Sequence, residues 1–567
     1  MKRRLLVVIM AIAVGAEVLA VAKDGNNQKK SETINSSIDT AIVDASTSIL
    51  KFSPLGDDSA KVTGYKEENP TSIDIPSKVK IDSKVYNVTS IGDKAFDGCS
   101  SLKSIKIPEN VTSIGWHAFN GCSSLTSITI PESVTSIGDW AFEGCSSLKS
   151  IKIPEGVTSI GWHAFEKCSS LTSITIPKGV TSIGENAFEG CSSLTSITIP
   201  KGVTSIGEWA FGYCSSLKNI NIPESVTSIR SWTFEGCSSL KSINIPESVT
   251  SINNGAFEGC SSLKSIKIPK GVTRIGYHAF KGCSSLTSIK IPESVTSIGD
   301  NAFRNCSSLT SITIPKGVTS IGEGAFNECS SLKNINIPES VTSIGKLAFS
   351  SCDKLPPHLL VYDNDTNCYG WVGDISKCIE VTIPEGVTSI GDWAFYECSS
   401  LKSINIPEGV TRIGHGAFVS CSSLKNIKIP KGVTSIGDNT FRYCSSLTDI
   451  KIPEGVTNIG DWAFYGCDEL PPHLLVYDKG TKCYGWVGDK SKCIEVTIPE
   501  SVTKIDGYAF NGCSSLTSIT IPKSVTSIDK DAFGGCKNLD VVIDNKEQNV
   551  KIGYGAFNDC KSVKFLK

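Results

Sequence analysis

The sequence contains very little methionine and histidine, almost no net charge, and only one long apolar run. Two methionines and six histidines occur in 567 residues, and both methionines, Met1 and Met10, lie near the N-terminus. The formal net charge is −2, so the chain lacks the dense basic surface that nucleic-acid binding requires. After residue 22 no apolar stretch approaches the about 20 residues that a membrane helix needs. We therefore expect neither nucleic-acid binding nor a membrane span in the mature chain.

The first 22 residues have the pattern of a secretory signal peptide. Lys2, Arg3 and Arg4 form a basic region, an apolar segment follows, and Ala20 and Ala22 provide the small residues of a cleavage site. An uncleaved signal anchor is the alternative, although the apolar segment is short for one. The pattern predicts a secreted or cell-surface protein.

Cysteines recur every 23 residues from Cys99 to Cys352. The unit that begins at Cys122 reads CSSLTSITIPESVTSIGDWAFEG, and its apolar residues occupy positions 1, 4, 7, 9, 13, 16, 20 and 21. This spacing does not fit a helix, whereas Ile128 and Ile130 alternate with polar neighbours as in a short strand with one exposed face. One unit cannot bury these side chains alone, but stacked units can. The sequence therefore predicts a repeat solenoid of about twenty coils whose strands pair in parallel.

Position 17 of the repeat carries glycine in most coils, for example Gly115 and Gly138. Where it changes it becomes Asn253, Asp506 or Asp529, and these residue types tolerate a positive φ best after glycine. We therefore predict a positive φ at this position. Arg230 is the exception, and it predicts a strained or rearranged corner.

These units resemble the BspA-type leucine-rich repeats, which share the string LxxIxIPxxVxxIGxxAFxxC, from about Asp74 to the C-terminus. The resemblance implies a right-handed leucine-rich-repeat superhelix, with a parallel strand ladder on its concave face and short or helical turns on its convex side. It also implies a secreted or surface microbial protein that acts in adhesion, host-matrix binding or co-aggregation. Residues 53–92 resemble the strand-rich lead-in of the family, which would cap the first coil.

Two near-identical segments interrupt the repeat after Cys352 and after Cys467. The next ladder cysteines, Cys398 and Cys513, each follow 46 residues later, which is two periods. We therefore interpret the interruptions as modified coils that keep the repeat in phase. The predicted segments are a signal peptide (1–22), a disordered or weakly ordered segment (23–52), a β cap (53–92), repeats (93–352), a modified coil (353–383), repeats (384–467), a second modified coil (468–498) and C-terminal repeats (499–567).

Each modified coil contains two additional cysteines, and these predict two disulfides. In an exported protein such close pairs favour the local bonds Cys368–Cys378 and Cys483–Cys493. A structural metal would need four ligands, so we expect neither a metal nor a cofactor. The nineteen ladder cysteines occupy equivalent positions, where neighbouring side chains point the same way, and we interpret them as small buried apolar residues.

No catalytic arrangement is evident in the sequence. Four of the six histidines occupy position 18 or 19 of a coil, away from any shared pocket, and no base stands beside a nucleophile. The abundant serines belong to the repeat, and the glycines do not form a phosphate-binding loop. We expect a protein that is not an enzyme.

Two surfaces are candidate binding sites. One is the outer side of the strands, where a solvated face is the alternative and the predicted ligand residues are Thr129, Thr175, Thr198, Lys267, Lys290, Lys428 and Lys451. The other is a tryptophan row, where packing over the corner is the alternative, formed by Trp116, Trp140, Trp162, Trp209 and Trp232.

These surfaces favour adhesin-like recognition of glycans or proteins on host or neighbouring cells. Sulfated or sialylated glycans would relieve the repulsion between lysines on adjacent coils. A self-assembling surface protein, formed by end-to-end association, is the alternative. Ice binding through the threonines is less favoured because lysines are interspersed among them.

Overall fold

Each repeat forms one turn of a β-solenoid of about 21 turns, with repeats of about 23 residues and almost no helix. The computed structural model describes residues 42–66, 70–363 and 366–566, all within the unit Ile42–Lys567. The predicted signal peptide (1–22) and residues 23–41 of the predicted disordered segment lie outside the described residues. The predicted solenoid and its parallel strand pairing are confirmed.

The first strand ladder comes from positions 6 to 8 of the repeat. In most of its strands the central isoleucine is buried and its two neighbours are exposed, as the alternation predicts. Equivalent residues of successive coils pair in parallel, for example Ile151 with Ile174. The strands of this ladder are Ser72–Asp74, Ser104–Lys106, Ser150–Lys152, Ser173–Thr175, Ser196–Thr198, Asn219–Asn221, Ser242–Asn244, Ser288–Lys290, Ser311–Thr313, Asn334–Asn336, Glu380–Thr382, Ser403–Asn405, Asn426–Lys428, Asp449–Lys451, Ser518–Ile521, Asp540–Ile543 and Ser562–Phe565.

A second ladder, which the sequence did not predict, comes from positions 15 and 16. Its strands contain two residues, and the isoleucine is buried in all of them except the last, where Ile552 is exposed. A strand of two residues is too short to show an alternation of buried and exposed side chains, so the sequence pattern does not reveal these strands. The strands are Ser113–Ile114, Ser136–Ile137, Ser159–Ile160, Ser182–Ile183, Ser205–Ile206, Ser228–Ile229, Ser251–Ile252, Arg274–Ile275, Ser297–Ile298, Ser320–Ile321, Ser343–Ile344, Ser389–Ile390, Arg412–Ile413, Ser435–Ile436, Asn458–Ile459, Lys504–Ile505, Ser527–Ile528 and Lys551–Ile552.

The N-terminal cap is a sheet that begins before residue 53. Its strands are Val43–Asp44, Leu50–Pro54, Ser59–Tyr65, Lys78–Ile81 and Lys84–Ile91. The last of them pairs in parallel with Ser113–Ile114 and so joins the cap to the second ladder. Order therefore extends into part of the segment that was predicted to be weakly ordered, because Leu50 is fully buried and pairs with Tyr65.

The apolar positions of the repeat form the core. In the unit that begins at Cys122, all eight predicted side chains are buried. The phenylalanine rings stack along the solenoid, and Phe142 lies parallel to Phe119 and Phe165 with centroids 5.3 and 5.4 Å away. The buried side chains form three clusters, which divide at the two modified coils.

The prediction of a positive φ at position 17 is wrong. Positive φ occurs instead at positions 19 and 23, for example 56° at Trp140 and 69° at Gly121. Gly138 is required for a different reason, because a Cβ on it would lie 2.7 Å from the carbonyl carbon of Gly115 in the preceding coil. Glycine therefore allows the backbones of adjacent coils to approach closely.

Arg230 lies at an interruption of the second ladder. The strands Ser205–Ile206 and Ser228–Ile229 do not pair, and Thr233 Oγ1 donates a 2.9 Å hydrogen bond to the Arg230 carbonyl. The ladder is interrupted at this corner, but the hydrogen bond comes with threonine at position 20, because Thr440 makes the same bond to the Gly437 carbonyl at 2.7 Å. The strands Ser136–Ile137 and Ser159–Ile160, the second of which precedes Gly161, also do not pair with each other. An interruption of the second ladder therefore does not require arginine.

The modified coils are β-hairpins. In the first hairpin, His358–Tyr362 pairs antiparallel with Asn367–Val372, and in the second hairpin, His473–Tyr477 pairs with Lys482–Val487. The second strand of each hairpin continues the second ladder. The described residues contain three short 3-10 helices, Ile375–Lys377, Lys490–Lys492 and Glu547–Asn549. No helix in this part of the chain has the length and apolarity needed to traverse a bilayer.

The structure corrects the two predicted disulfides. Cys368, Cys378, Cys483 and Cys493 are all free and buried. Cys368 lies in a hairpin strand, where its register partner is Ile390, whereas Cys378 follows a 3-10 helix at the position that leucine occupies in ordinary coils. The second modified coil repeats this arrangement. The ladder cysteines are free as well, and all except Cys560 are buried.

Candidate functional site

A groove of about 1040 Å³ runs beside the first ladder. Position 8 side chains point outward from the strands, and the proline at position 10 ends each strand because it has no N–H to donate. Two of the predicted ligand residues, Thr175 and Thr198, line this groove together with Asn221. Its remaining surface comes from the isoleucines and prolines of the same coils and from a rim of charged side chains, Glu155, Lys178, Lys201 and Glu224.

The other predicted threonine is separate from this groove. Thr129 is exposed at the same repeat position, two coils before Thr175. A second groove of about 640 Å³ includes Thr313 and Asn336 farther along the same face. The repeat therefore presents the same kind of surface at several places.

The predicted lysines lie in register as expected, but their charges are not equivalent. Lys267 is the register partner of Lys290, and Lys428 is the partner of Lys451. Lys267 and Lys428 form 2.5 Å ion pairs with the glutamates 20 residues earlier, Glu247 and Glu408. Hydrogen bonds from these lysines lower the pKa of both glutamates.

Lys290 and Lys451 have lysine, not glutamate, at the corresponding position 20 residues earlier. These residues are Lys270 and Lys431. Within the described part of the chain, neither Lys290 nor Lys451 has a carboxylate within ion-pairing distance. Each therefore contributes an uncompensated positive charge to the strand face.

The tryptophan row contains two kinds of side chain. Trp140 stacks between His117 and His163, with centroids 5.3 and 4.7 Å away. Trp162, at position 18, is 54% exposed. Position 19 therefore places rings along the solenoid, and position 18 places them toward solvent.

The remaining members of the row follow the same rule. Trp209 and Trp232, both at position 19, stack with centroids 5.4 Å apart. Trp116, at position 18, is 41% exposed and contacts Trp140 edge-on at 6.1 Å. The outward rings of Trp116 and Trp162 are the ones available to a ligand.

An aromatic pocket of about 450 Å³ lies beside the second hairpin, and the sequence analysis did not identify it. Its walls include Trp462, whose ring centroid is 4.4 Å from that of Tyr508 and 4.9 Å from that of Tyr465. Further lining residues are Tyr443, Tyr484, Trp486, Asp468, Asp489 and Lys490. The first hairpin has Leu347 and Ser350 in place of Trp462 and Tyr465. A comparison of the two flanking sequences would have revealed this difference.

Histidine and carboxylate side chains of the solenoid pair locally along its corners. His163 contacts Glu166, and His278 Nδ1 lies 3.1 Å from Glu258 Oε2. Within residues 42–66, 70–363 and 366–566, no group of three or more histidine, cysteine or carboxylate side chains is placed to hold a metal ion.

The sequence matches a family model of repeat proteins over most of the solenoid. The family model described as "BspA type Leucine rich repeat region" matches in six copies. Together the matches cover the ranges 65–195, 163–286, 250–357, 373–473 and 488–567, some of which overlap. No curated protein has a matching sequence.

Several solved structures are similar. A leucine-rich repeat protein from Bacteroides ovatus is 32% identical, and the match covers 74% of this chain and 92% of that one with a TM-score of 0.46. A leucine-rich cell surface protein from Faecalibacterium prausnitzii is 34% identical over 51% and 93% of the two chains, with a TM-score of 0.36. The pneumococcal vaccine antigen PcpA is 17% identical over 91% and 96%, with a TM-score of 0.33.

Proposed function

Because this chain belongs to the BspA-type leucine-rich repeat family, a family of repeat scaffolds, we propose that it is a secreted or cell-surface binding protein with an adhesin-like role. Its partners are glycans or proteins of host or neighbouring cells. The basic and apolar segments at residues 1–22 support export. The observation that carries the proposal is the groove beside the first ladder, because it contains the predicted ligand residues Thr175 and Thr198.

The chemistry of this groove suits a carbohydrate chain. Prolines such as Pro200 and Pro223 provide a partly exposed apolar surface for the ring faces of sugars, and Thr175, Thr198 and Asn221 provide groups that donate and accept hydrogen bonds. The rim contains both signs of charge. Binding of this kind requires no catalytic group, so we propose a binding protein and not an enzyme.

The lysines of the strand face favour anionic sugars. Lys290 and Lys451 lie seven repeats apart, and each has a lysine register partner and a lysine at the preceding position 11. Sulfate or carboxylate groups of a glycan would reduce the repulsion among these side chains. We propose sulfated or sialylated glycans as the preferred class.

Glycan and matrix-protein arrays test the groove. The double variant Thr175→Trp/Thr198→Trp fills it with two large side chains and is expected to abolish binding. The matched control is Thr181→Trp/Thr204→Trp, because these exposed threonines lie in the same coils at position 14. Equal binding by both variants, or no ligand above background for the unaltered protein, would contradict the proposal.

Charge reversal tests the preference for anionic sugars. Lys290→Glu/Lys451→Glu is expected to weaken binding of a sulfated glycan. The difference between the variant and the unaltered protein should become smaller at high salt, because dissolved ions reduce the range over which charges interact. Lys103→Glu/Lys149→Glu changes the net charge equally at exposed lysines of earlier coils. A similar loss in both variants would indicate nonspecific attraction.

Self-association is the second candidate function. Among residues 42–66, 70–363 and 366–566, the strand Ser562–Phe565 pairs on one side only, and Tyr554 nearby is 89% exposed. An unpaired strand edge can pair with another chain. Light scattering of the purified protein over a concentration range tests this function, and a constant monomer mass would exclude it.

A further inference from the structure

The aromatic pocket of about 450 Å³ belongs to the second modified coil. The two modified coils have nearly the same hairpin sequence, and the wall that the second hairpin provides, Tyr484 and Trp486, has the same residue types in the first. The rest of the lining has changed and become more aromatic. The changed residues, each given with its counterpart 115 positions earlier, include Tyr443 for Glu328, Trp462 for Leu347, Tyr465 for Ser350 and Lys490 for Ile375.

The pocket lies where the hairpin takes the place of a corner. In ordinary coils the main-chain N–H of the corner phenylalanine donates to an alanine carbonyl of the next coil. At the hairpin, the N–H of Phe464 donates instead to the hydroxyl of Tyr484 at 3.0 Å. Trp462 and Tyr508, at position 19 of coils two periods apart, contact each other with ring centroids at 4.4 Å. The corners of the two flanking coils therefore meet, and the hairpin forms one wall of the pocket beside them.

Cations of the protein already lie on several of these rings. The Arg442 guanidinium is 4.9 Å from the centroid of Tyr443 and 5.6 Å from that of Tyr465. The ammonium of Lys530 lies 5.2 Å from the centroid of Tyr508. These side chains use ring faces that a cationic ligand would need. The pocket is therefore poorly suited to a cationic ligand.

The polar groups of the pocket carry both signs of charge. Asp468, Asp489 and Lys490 all line it. The main-chain carbonyl of Asp489 accepts a 3.2 Å hydrogen bond from Nε1 of Trp486, which holds that ring in place. The ammonium of Lys490 donates to the Asn511 carbonyl. Ordered rings beside both donors and acceptors suit a neutral ligand that has an apolar face and several hydroxyl groups.

We propose that the aromatic pocket binds one pyranose residue of a neutral glycan. The C–H face of the sugar packs on the aromatic rings, its hydroxyls donate to Asp468 and Asp489, and Lys490 donates to a sugar oxygen. The volume lies within the about 300–1,000 Å³ of small-molecule sites. This site lies in other coils than the groove at Thr175 and is independent of anionic glycans bound there.

Saturation-transfer NMR with the full chain tests the class of ligand. The probes are the methyl glycosides of glucose, galactose, mannose and N-acetylglucosamine, together with tetramethylammonium as a cation and glucose 6-sulfate as an anion. We expect at least one neutral glycoside to bind more tightly than either charged probe. No transfer to any glycoside, or tighter binding of a charged probe, would overturn the proposal.

Variants that carry the residues of the first modified coil test the position of the site. Trp462→Leu/Tyr465→Ser is expected to weaken binding of that glycoside about tenfold, because two aromatic contacts are lost. Trp393→Leu is the control, because it removes a ring at the counterpart of Tyr508 beside the first hairpin. Unchanged binding by the double variant, or an equal loss in the control, would overturn the assignment to this pocket.

Hydrogen exchange of the unaltered protein locates the site without relying on a substitution. Saturation with the bound glycoside is expected to slow amide exchange in residues 484–491 and 507–509. The corresponding residues of the first modified coil, 369–376 and 392–394, are the internal control and should not change. Slower exchange in both modified coils alike, or only in the coils that form the groove at Thr175, would overturn the proposal.

Discussion

The hydroxyl of Tyr477 donates a 2.6 Å hydrogen bond to Oδ2 of Asp506, and both side chains are buried. Lys504 Nζ approaches the other carboxylate oxygen at 3.1 Å. The first hairpin has Tyr362 in the place of Tyr477 but Gly391 in the place of Asp506. The two modified coils therefore have nearly the same sequence but differ in one buried charge.

Removing the hydroxyl of Tyr477 is expected to destabilise the second hairpin. Tyr477→Phe leaves the buried carboxylate of Asp506 without this donor, and we expect the local free energy of opening to fall by about 1–3 kcal/mol. Tyr362→Phe is the control, because Gly391 occupies the place of Asp506 beside the first hairpin and offers no carboxylate there. Amide hydrogen exchange of the two hairpins measures both effects. An equal loss in the two variants would contradict this role of Asp506.

The stability of the second hairpin should also depend on pH through Asp506. Burial raises the pKa of the Asp506 carboxyl above its ordinary value of 3.8. The folded state therefore holds the proton more tightly than the unfolded state, and this contribution to stability is full below pH 3.8 and is lost as the pH rises through the folded-state pKa. Hydrogen exchange at several pH values should show this decline in the unaltered protein but not in Asp506→Asn. The same profile in both proteins would assign the decline to another group.

At Gly138 the neighbouring coil leaves no room for a side chain. Gly138→Ala places a Cβ 2.7 Å from backbone atoms of Gly115 and Trp116, and such overpacking is expected to cost about 1–3 kcal/mol. Gly179→Ala is the control, because its nearest atoms would be 3.6 Å away and its φ is not positive. That change is expected to stabilise the protein by about 0.4–1 kcal/mol. Thermal denaturation distinguishes the two, and a tolerated Gly138→Ala would contradict the close approach of the coils.

The two classes of tryptophan should differ in their effect on stability. Trp140→Ala removes stacking on His117 and His163, and aromatic pairs contribute about 0.5–1.5 kcal/mol each beyond buried area. Trp162→Ala is expected to change stability by less than about 0.5 kcal/mol, because the side chain is mostly exposed. Thermal denaturation measures both variants. If Trp162→Ala destabilises as much as Trp140→Ala, the distinction between positions 18 and 19 is wrong.

The buried positions of the repeat could be predicted from the sequence, but the backbone geometry could not. The eight apolar positions of the unit at Cys122 are all buried, because recurrence every 23 residues is visible without knowing the path of the chain. The backbone prediction at position 17 failed, since Gly138 relieves a contact with the preceding coil and does not adopt a positive φ. Such a contact joins residues 23 apart, and composition at one position cannot distinguish the two reasons for glycine.

The candidate sites also differ in whether the repeat period or the path of the folded chain determines them. The strand face and the pairing of Lys267 with Lys290 follow from the period alone. The groove at Thr175 depends on how the prolines of neighbouring coils enclose the strands, and the aromatic pocket depends on how the second hairpin lies against Trp462.

The repeat pattern was enough to predict a stack of coils, the buried side chains and the residues that share a face. The positions with positive φ and the places where the surface becomes concave became known from the folded chain. The physical reason is that a repeated apolar pattern specifies burial one residue at a time, whereas contacts between coils depend on the path of the backbone between them.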